Sequence, residues 1–127
     1  MSASVSQSAS GSGFRVRRVY DPPEAEDGVR VLVDRLWPRG LAKERAAVDE
    51  WVKELTPTNE LRTWYHGHPG QYEEFARRYR EELAAPALEG AAERLRELAT
   101  AGRGTLLTAV KDPDHSHVPV LLAHLRP

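Results

Sequence analysis

Hydrophobic and polar positions along this chain predict strands and helices in alternation. Residues 14–20 alternate weakly, with Arg15, Arg17 and Arg18 keeping a first strand partly exposed before Asp21, Pro22 and Pro23 end it. Residues 29–37 form the strongest strand. Val29, Val31 and Val33 face one way, followed by Arg35 and Trp37, while Arg30, Leu32, Asp34 and Leu36 face the other. Apolar residues on both faces predict a central strand covered on both sides. Residues 104–110 give a second continuous apolar strand.

Helical spacing fills the intervals. Residues 41–48 form a short helix, and residues 47–55 fit either a helix or a short strand. Thr58 is an N-cap for a helix with Leu61, Trp64 and Tyr65 on its apolar face and Gly67 at its C′ position. Residues 71–83 give the clearest helix, burying Tyr72, Phe75, Ala76, Tyr79 and Leu83. Pro86 opens another over residues 86–99, and Ser116 caps a last one that buries Val118, Leu121, Leu122 and Leu125. The order predicts an α/β single domain, a small mainly parallel sheet flanked by helices. The first two strands are close enough in sequence to pair as an antiparallel hairpin.

Composition narrows the class. Residues 1–13 hold six Ser and no charge, too little apolar surface to offset ordering, so they are expected to be a disordered tail ahead of a domain at 14–127. That tail lacks the basic start and apolar run of a secretory signal and the Arg of a mitochondrial one. Net charge is −1, with 18 Lys plus Arg against 19 Asp plus Glu, which argues against nucleic acid as the main partner. There is no Cys and no apolar run long enough for a membrane span, so a cytoplasmic protein without a membrane partner is expected. No glycine-rich nucleotide loop, nucleophile elbow or zinc-protease motif occurs, and no cofactor is implied.

Candidate chemistry gathers after two strands. One loop brings Arg35, Trp37, Arg39 and Lys43, and the other brings Lys111, Asp112, Asp114, His115 and His117. If the strands are parallel neighbours, both loops open on one sheet edge. The amides at the start of the last helix would add positive charge there. Such a site suits a small anionic molecule bearing phosphate or carboxylate. Arg35, Arg39 and Lys111 would hold the anion, Trp37 would stack on it, and His117 could move a proton. Arg62 and His66 share a helix face and either extend the pocket or stay on the surface. Asp34 is either a buried acid with a raised pKa, active in proton transfer, or a structural partner for an Arg or for loop amides. Two His-x-His pairs, His66/His68 and His115/His117, raise a third option of metal binding.

These residues resemble one family. Arg18-Val-Tyr-Asp21, Val31-Leu-Val-Asp-Arg-Leu-Trp-Pro-Arg-Gly40 with Lys43, Asp49-Glu-Trp51, Pro57-Thr58, Leu61-Arg62, His66, Phe75, Tyr79, Glu82-Leu83, Thr105-Leu-Leu107, Lys111 and His117 are similar to the YeaO-like family, domain of unknown function 488. The resemblance implies a small soluble α/β protein and assigns no reaction. Two functions follow as expectations. One is an enzyme acting on a small anion, with Asp34 or His117 as its proton-transfer group. The other is a non-catalytic anion-sensing or protein-interaction module. Buried ionisable groups in an enclosed cavity favour the first, and an open basic patch favours the second. The oligomeric state is not set by the sequence.

Overall fold

A computed structural model describes residues 14–102 and 104–126; the tail expected at 1–13 lies outside them. Among these residues four strands form one all-parallel sheet: β1 (Phe14–Arg18), β2 (Val29–Leu32), β3 (Glu50–Trp51) and β4 (Gly104–Thr108), in the spatial order β1-β4-β2-β3. The described residues also form five α-helices: α1 (Lys43–Ala46), α2 (Asn59–His66), α3 (Tyr72–Leu83), α4 (Glu89–Thr100) and α5 (His117–Leu125). Every residue of β4 is buried, which explains its central place, since a strand apolar on both faces needs a partner on each side and cover above and below.

That placement corrects the hairpin expectation. β1 and β2 do not pair. Both run parallel to β4, which lies between them, with Arg15 and Arg30 both opposite Thr105. The strands also end sooner than the apolar runs suggest, although the ladder continues through the Val19 amide to the Thr108 carbonyl and the Val33 amide to the Leu107 carbonyl, both at 3.0 Å. The ambiguous stretch 47–55 resolves into β3 and a 3-10 turn at Lys53–Leu55. Pro86 starts a 3-10 turn, Pro86–Leu88, that leads into α4. Thr58 and Ser116 cap α2 and α5 as expected, accepting from the Leu61 and Val118 amides. Gly67 ends α2 with ordinary right-handed backbone, not in the left-handed C′ geometry.

The two sheet faces are covered differently. Val31, Val33 and Leu106 point into the larger core, where Phe75, Tyr79 and Leu83 of α3, Ala92 and Leu95 of α4 and Leu121 and Leu125 of α5 pack. Leu32 and Leu107, each one residue on, face the other way with Val19 and Ala46. This thinner face is completed by charge. Asp27, only 1% exposed, accepts from Arg30 at 2.5 Å, Arg17 at 2.9 Å and Arg15 at 3.0 Å. Arg30 is itself buried and donates further to the Ala46 carbonyl at 2.9 Å. Burial opposes ionisation of Asp27, yet the bonds from the Glu24 amide and Arg30, with the nearby Arg17, hold its carboxyl below the usual range. Among the described residues no helix is long and apolar enough to cross a membrane.

Removing one member of this cluster leaves a buried charge unmatched. Asp27→Ala should lower the urea unfolding free energy by about 3–5 kcal/mol. Adding Arg30→Met should recover part of that loss, and additive losses in the double variant would show that the two groups do not act as a pair.

Candidate functional site

Because β2 and β4 are parallel neighbours, the loops that follow them leave the same edge of the sheet. The chain after β2 runs off toward β3, whereas the chain after β4 turns into α5, and a crevice opens between the two paths. α2 closes its far side. The result is a pocket of about 480 Å3 lined by Asp34 to Arg39, Pro57, Arg62, Tyr65, His66, Phe75, Ala109, Val110, Asp112 and His115 to His117.

Three guanidinium groups reach this pocket. Arg35 donates through Nε to the Pro57 carbonyl at 2.7 Å, and Arg62 through Nη1 to Asn59 Oδ1 at 3.1 Å. Arg39 is exposed at the rim. Among the described residues none of the three is ion-paired with a carboxylate. Their charge therefore remains available to an incoming anion, and the fork geometry of Arg suits phosphate or carboxylate.

Asp34 and His117 form the base. Asp34 Oδ1 accepts from the Thr108 hydroxyl at 2.7 Å and Oδ2 from the Ala109 amide at 2.8 Å, while its carbonyl accepts from the Trp51 indole at 2.7 Å. His117 is buried. Its Nε2 lies 2.6 Å from the Val33 carbonyl and 3.5 Å from Asp34 Oδ1. A carbonyl only accepts, so Nε2 carries a proton and donates it. Burial by itself would push the Asp34 carboxyl up. The bonds from His117, Ala109 and Thr108 outweigh it and hold the carboxyl below its ordinary value near 3.8. Of the two readings of Asp34, a buried acid with a raised pKa or a structural partner, the lowered direction and the bond from the Ala109 amide agree with the second.

The remaining sequence candidates divide. Arg35, Trp37, Arg39, Arg62 and His66 all line the pocket. Trp37 is only partly a wall, because its indole donates to the Leu41 carbonyl at 2.8 Å and its ring meets Trp51 edge-on at 5.5 Å. Lys43 and Lys111 are exposed and lie outside the lining. Lys43 starts α1, which buries Ala46 against the thinner face, and the 3-10 turn Pro113–His115 presents Asp112 and His115 to the pocket instead of Lys111. Tyr79 points into the core and donates to the Leu55 carbonyl at 2.5 Å. The imidazoles do not converge on a metal. Among the described residues no three His, Asp or Glu side chains form a metal-holding group, and His68 instead stacks on Trp64 at 4.6 Å. The start of α5 offers little as an anion site, since Ser116 Oγ takes the Val118 amide and Pro119 has none.

Two wall residues were read from the sequence only as core. Tyr65 and Phe75 stack at 4.3 Å and line the pocket. Tyr65 stands three residues from Arg62, so the face shared by Arg62 and His66 already included it. For Phe75 the sequence carries no such signal, because a position at the edge of a buried stripe becomes a wall only where the neighbouring element stops short.

Fold and site define a small α/β domain with an all-parallel sheet and a basic, aromatic-walled pocket at its C-terminal edge. The chain belongs to the DUF488 family: the profile described as the inactive DUF488-N3 subclade matches residues 13–127. It is 47% identical over 113 residues to the uncharacterized protein YeaO of Escherichia coli, a stretch covering 89% of this chain and 96% of that protein. It is 45% identical over 107 residues to the uncharacterized protein Rv3073c of Mycobacterium tuberculosis, covering 84% of this chain and 88% of the other. No solved structure matches it.

A depressed carboxyl stabilises the fold above its unfolded-state pKa, and that stability is lost as pH falls through the folded-state value. Asp34→Asn should therefore cost about 1–3 kcal/mol near neutrality, with the deficit shrinking as pH drops below the carboxyl's ordinary range. Urea midpoints of both proteins between pH 7 and pH 3 measure this, and a deficit that stays constant across that range would contradict it.

Proposed function

We propose that this protein is a non-catalytic module that binds a small anionic molecule through Arg35, Arg39 and Arg62. The convergence of three guanidinium groups without carboxylate partners on one concave pocket carries the reading. Only two carboxylates share the lining. Both oxygens of Asp34 are engaged, and Asp112 is bonded to His115 at 2.9 Å. An anion meets net positive charge there, in a cleft whose apolar walls strengthen the attraction.

The half-buried Asp34 and the buried His117 beside a cavity are what an enzyme would place there. Both oxygens of Asp34 and Nε2 of His117 are nevertheless engaged within the fold. The Nε2 proton of His117 goes to a backbone carbonyl, and the Ser116, Tyr65 and Tyr72 hydroxyls donate to carbonyls as well. With no Cys in the chain, no thiol is at hand as a nucleophile. The description of the matching subclade as inactive agrees with binding in the absence of turnover.

Thermal shift and titration calorimetry with phosphate, sulfate and a panel of phosphate- and carboxylate-bearing metabolites test this. A ligand that binds only the native state raises its melting temperature. Arg39→Ala/Arg62→Ala, whose side chains make no backbone bonds, should abolish that shift with unfolding otherwise unchanged. Unchanged binding in this variant would overturn the proposal, and product formation from a bound compound would overturn its non-catalytic part.

A further inference from the structure

We infer that the anion held at Arg35, Arg39 and Arg62 is the phosphate of a nucleoside monophosphate, whose sugar and flat heteroaromatic ring extend into an adjoining compartment. The inference rests on the anion-binding reading and adds the rest of the ligand to it. A second concavity, of about 500 Å3, is lined by Tyr65, His66, Pro69, Tyr72, Asp112 and His115. Four of these, Tyr65, His66, Asp112 and His115, also line the basic pocket, so the two compartments share a wall.

Their chemistry differs in a way that matches the two ends of one molecule. The first holds the guanidinium groups; the second has no Lys or Arg in its lining and consists largely of rings. Tyr72 meets His115 edge-on at 5.8 Å and lies 6.2 Å from Tyr65. The two hydroxyls are already used, Tyr65 donating to the His115 carbonyl at 3.0 Å and Tyr72 to the Ser116 carbonyl at 2.8 Å. What these tyrosines offer a ligand is therefore ring surface, fixed in place before binding, and a planar base can stack there whatever its sequence of ring atoms.

Asp112 stands on the shared wall. One carboxylate oxygen accepts from His115 Nδ1 at 2.9 Å, and the other has no partner among the described residues. A free acceptor at that point fits the hydroxyls of a ribose or an exocyclic amine. It also repels a second phosphate, which favours a monophosphate over a diphosphate. A simple carboxylate or inorganic phosphate would use the basic compartment alone.

Calorimetry on the full chain with inorganic phosphate, ribose 5-phosphate, adenosine and adenosine 5′-monophosphate tests this. The monophosphate should bind at least about tenfold more tightly than inorganic phosphate, the contribution expected of one stacked base, and more tightly than adenosine. His115→Ala, an exposed side chain with no backbone partner, should lower the affinity for the monophosphate more than that for inorganic phosphate and so reduce that advantage. Arg39→Ala/Arg62→Ala should weaken every phosphorylated ligand. Equal affinity for phosphate and monophosphate, adenosine binding as tightly as its monophosphate, or an unaltered monophosphate affinity in His115→Ala would overturn the inference while leaving anion binding intact. Failure of all phosphorylated compounds to bind would overturn both.

Discussion

The carboxylate of Asp34 is the junction on which the working edge of this protein depends. It lies just past β2, yet it accepts from Thr108 and Ala109 at the end of β4, and its own carbonyl accepts from Trp51 on β3. One residue thus joins the ends of three strands where the sheet ladder stops. His117, the first residue of α5, donates to the carbonyl of the preceding Val33 and brings the last helix to the same point. Buried polar groups must find partners, and here each satisfies another across the gap that the loops would otherwise leave. These bonds tie the base of the pocket to three strands and the last helix.

The same principle works at the other end of the thinner sheet face. An all-parallel sheet needs cover on both sides, but four of the five helices, α2 to α5, pack on one. Among the described residues the opposite face has only α1 and a few apolar side chains, and its N-terminal half is sealed by Asp27 with Arg15, Arg17 and Arg30. Arginines at alternate positions of β1 point to that face as the pleat requires, where they join an ion cluster centred on the buried Asp27. Charge there fixes the crossing from β1 to β2, and charge in the pocket is left unpaired. The chain thereby distinguishes structural from available guanidinium groups by whether a carboxylate stands opposite.

That distinction was not legible in the residue types. Arg15 and Arg30 look no more structural than Arg35 or Arg39 until Asp27 is seen between them. Lys111 sits as close to the end of β4 in sequence as Arg35 does to the end of β2, and Lys43 follows Arg39 by four residues; both lysines fall outside the pocket because a turn and a short helix carry them away. Arg62 and His66 could be placed on one helix face from spacing, but whether that face met the pocket depended on where α2 docks.

The α/β class, the two apolar strands, the N-caps at Thr58 and Ser116, the stripe of α3 and the family are all legible in the sequence, because each is written in local periodicity, capping chemistry or a contiguous motif. Long-range pairing in the folded chain sets that β4 enters between β1 and β2, that the Asp34 carboxylate ties the end of β2 to Thr108 and Ala109, and that two compartments meet at Tyr65 and Asp112. These outcomes turn on pairings between residues tens of positions apart. A strand's best partner is set by which neighbour completes its burial, and a carboxylate's charge by which donors the folded chain brings to it.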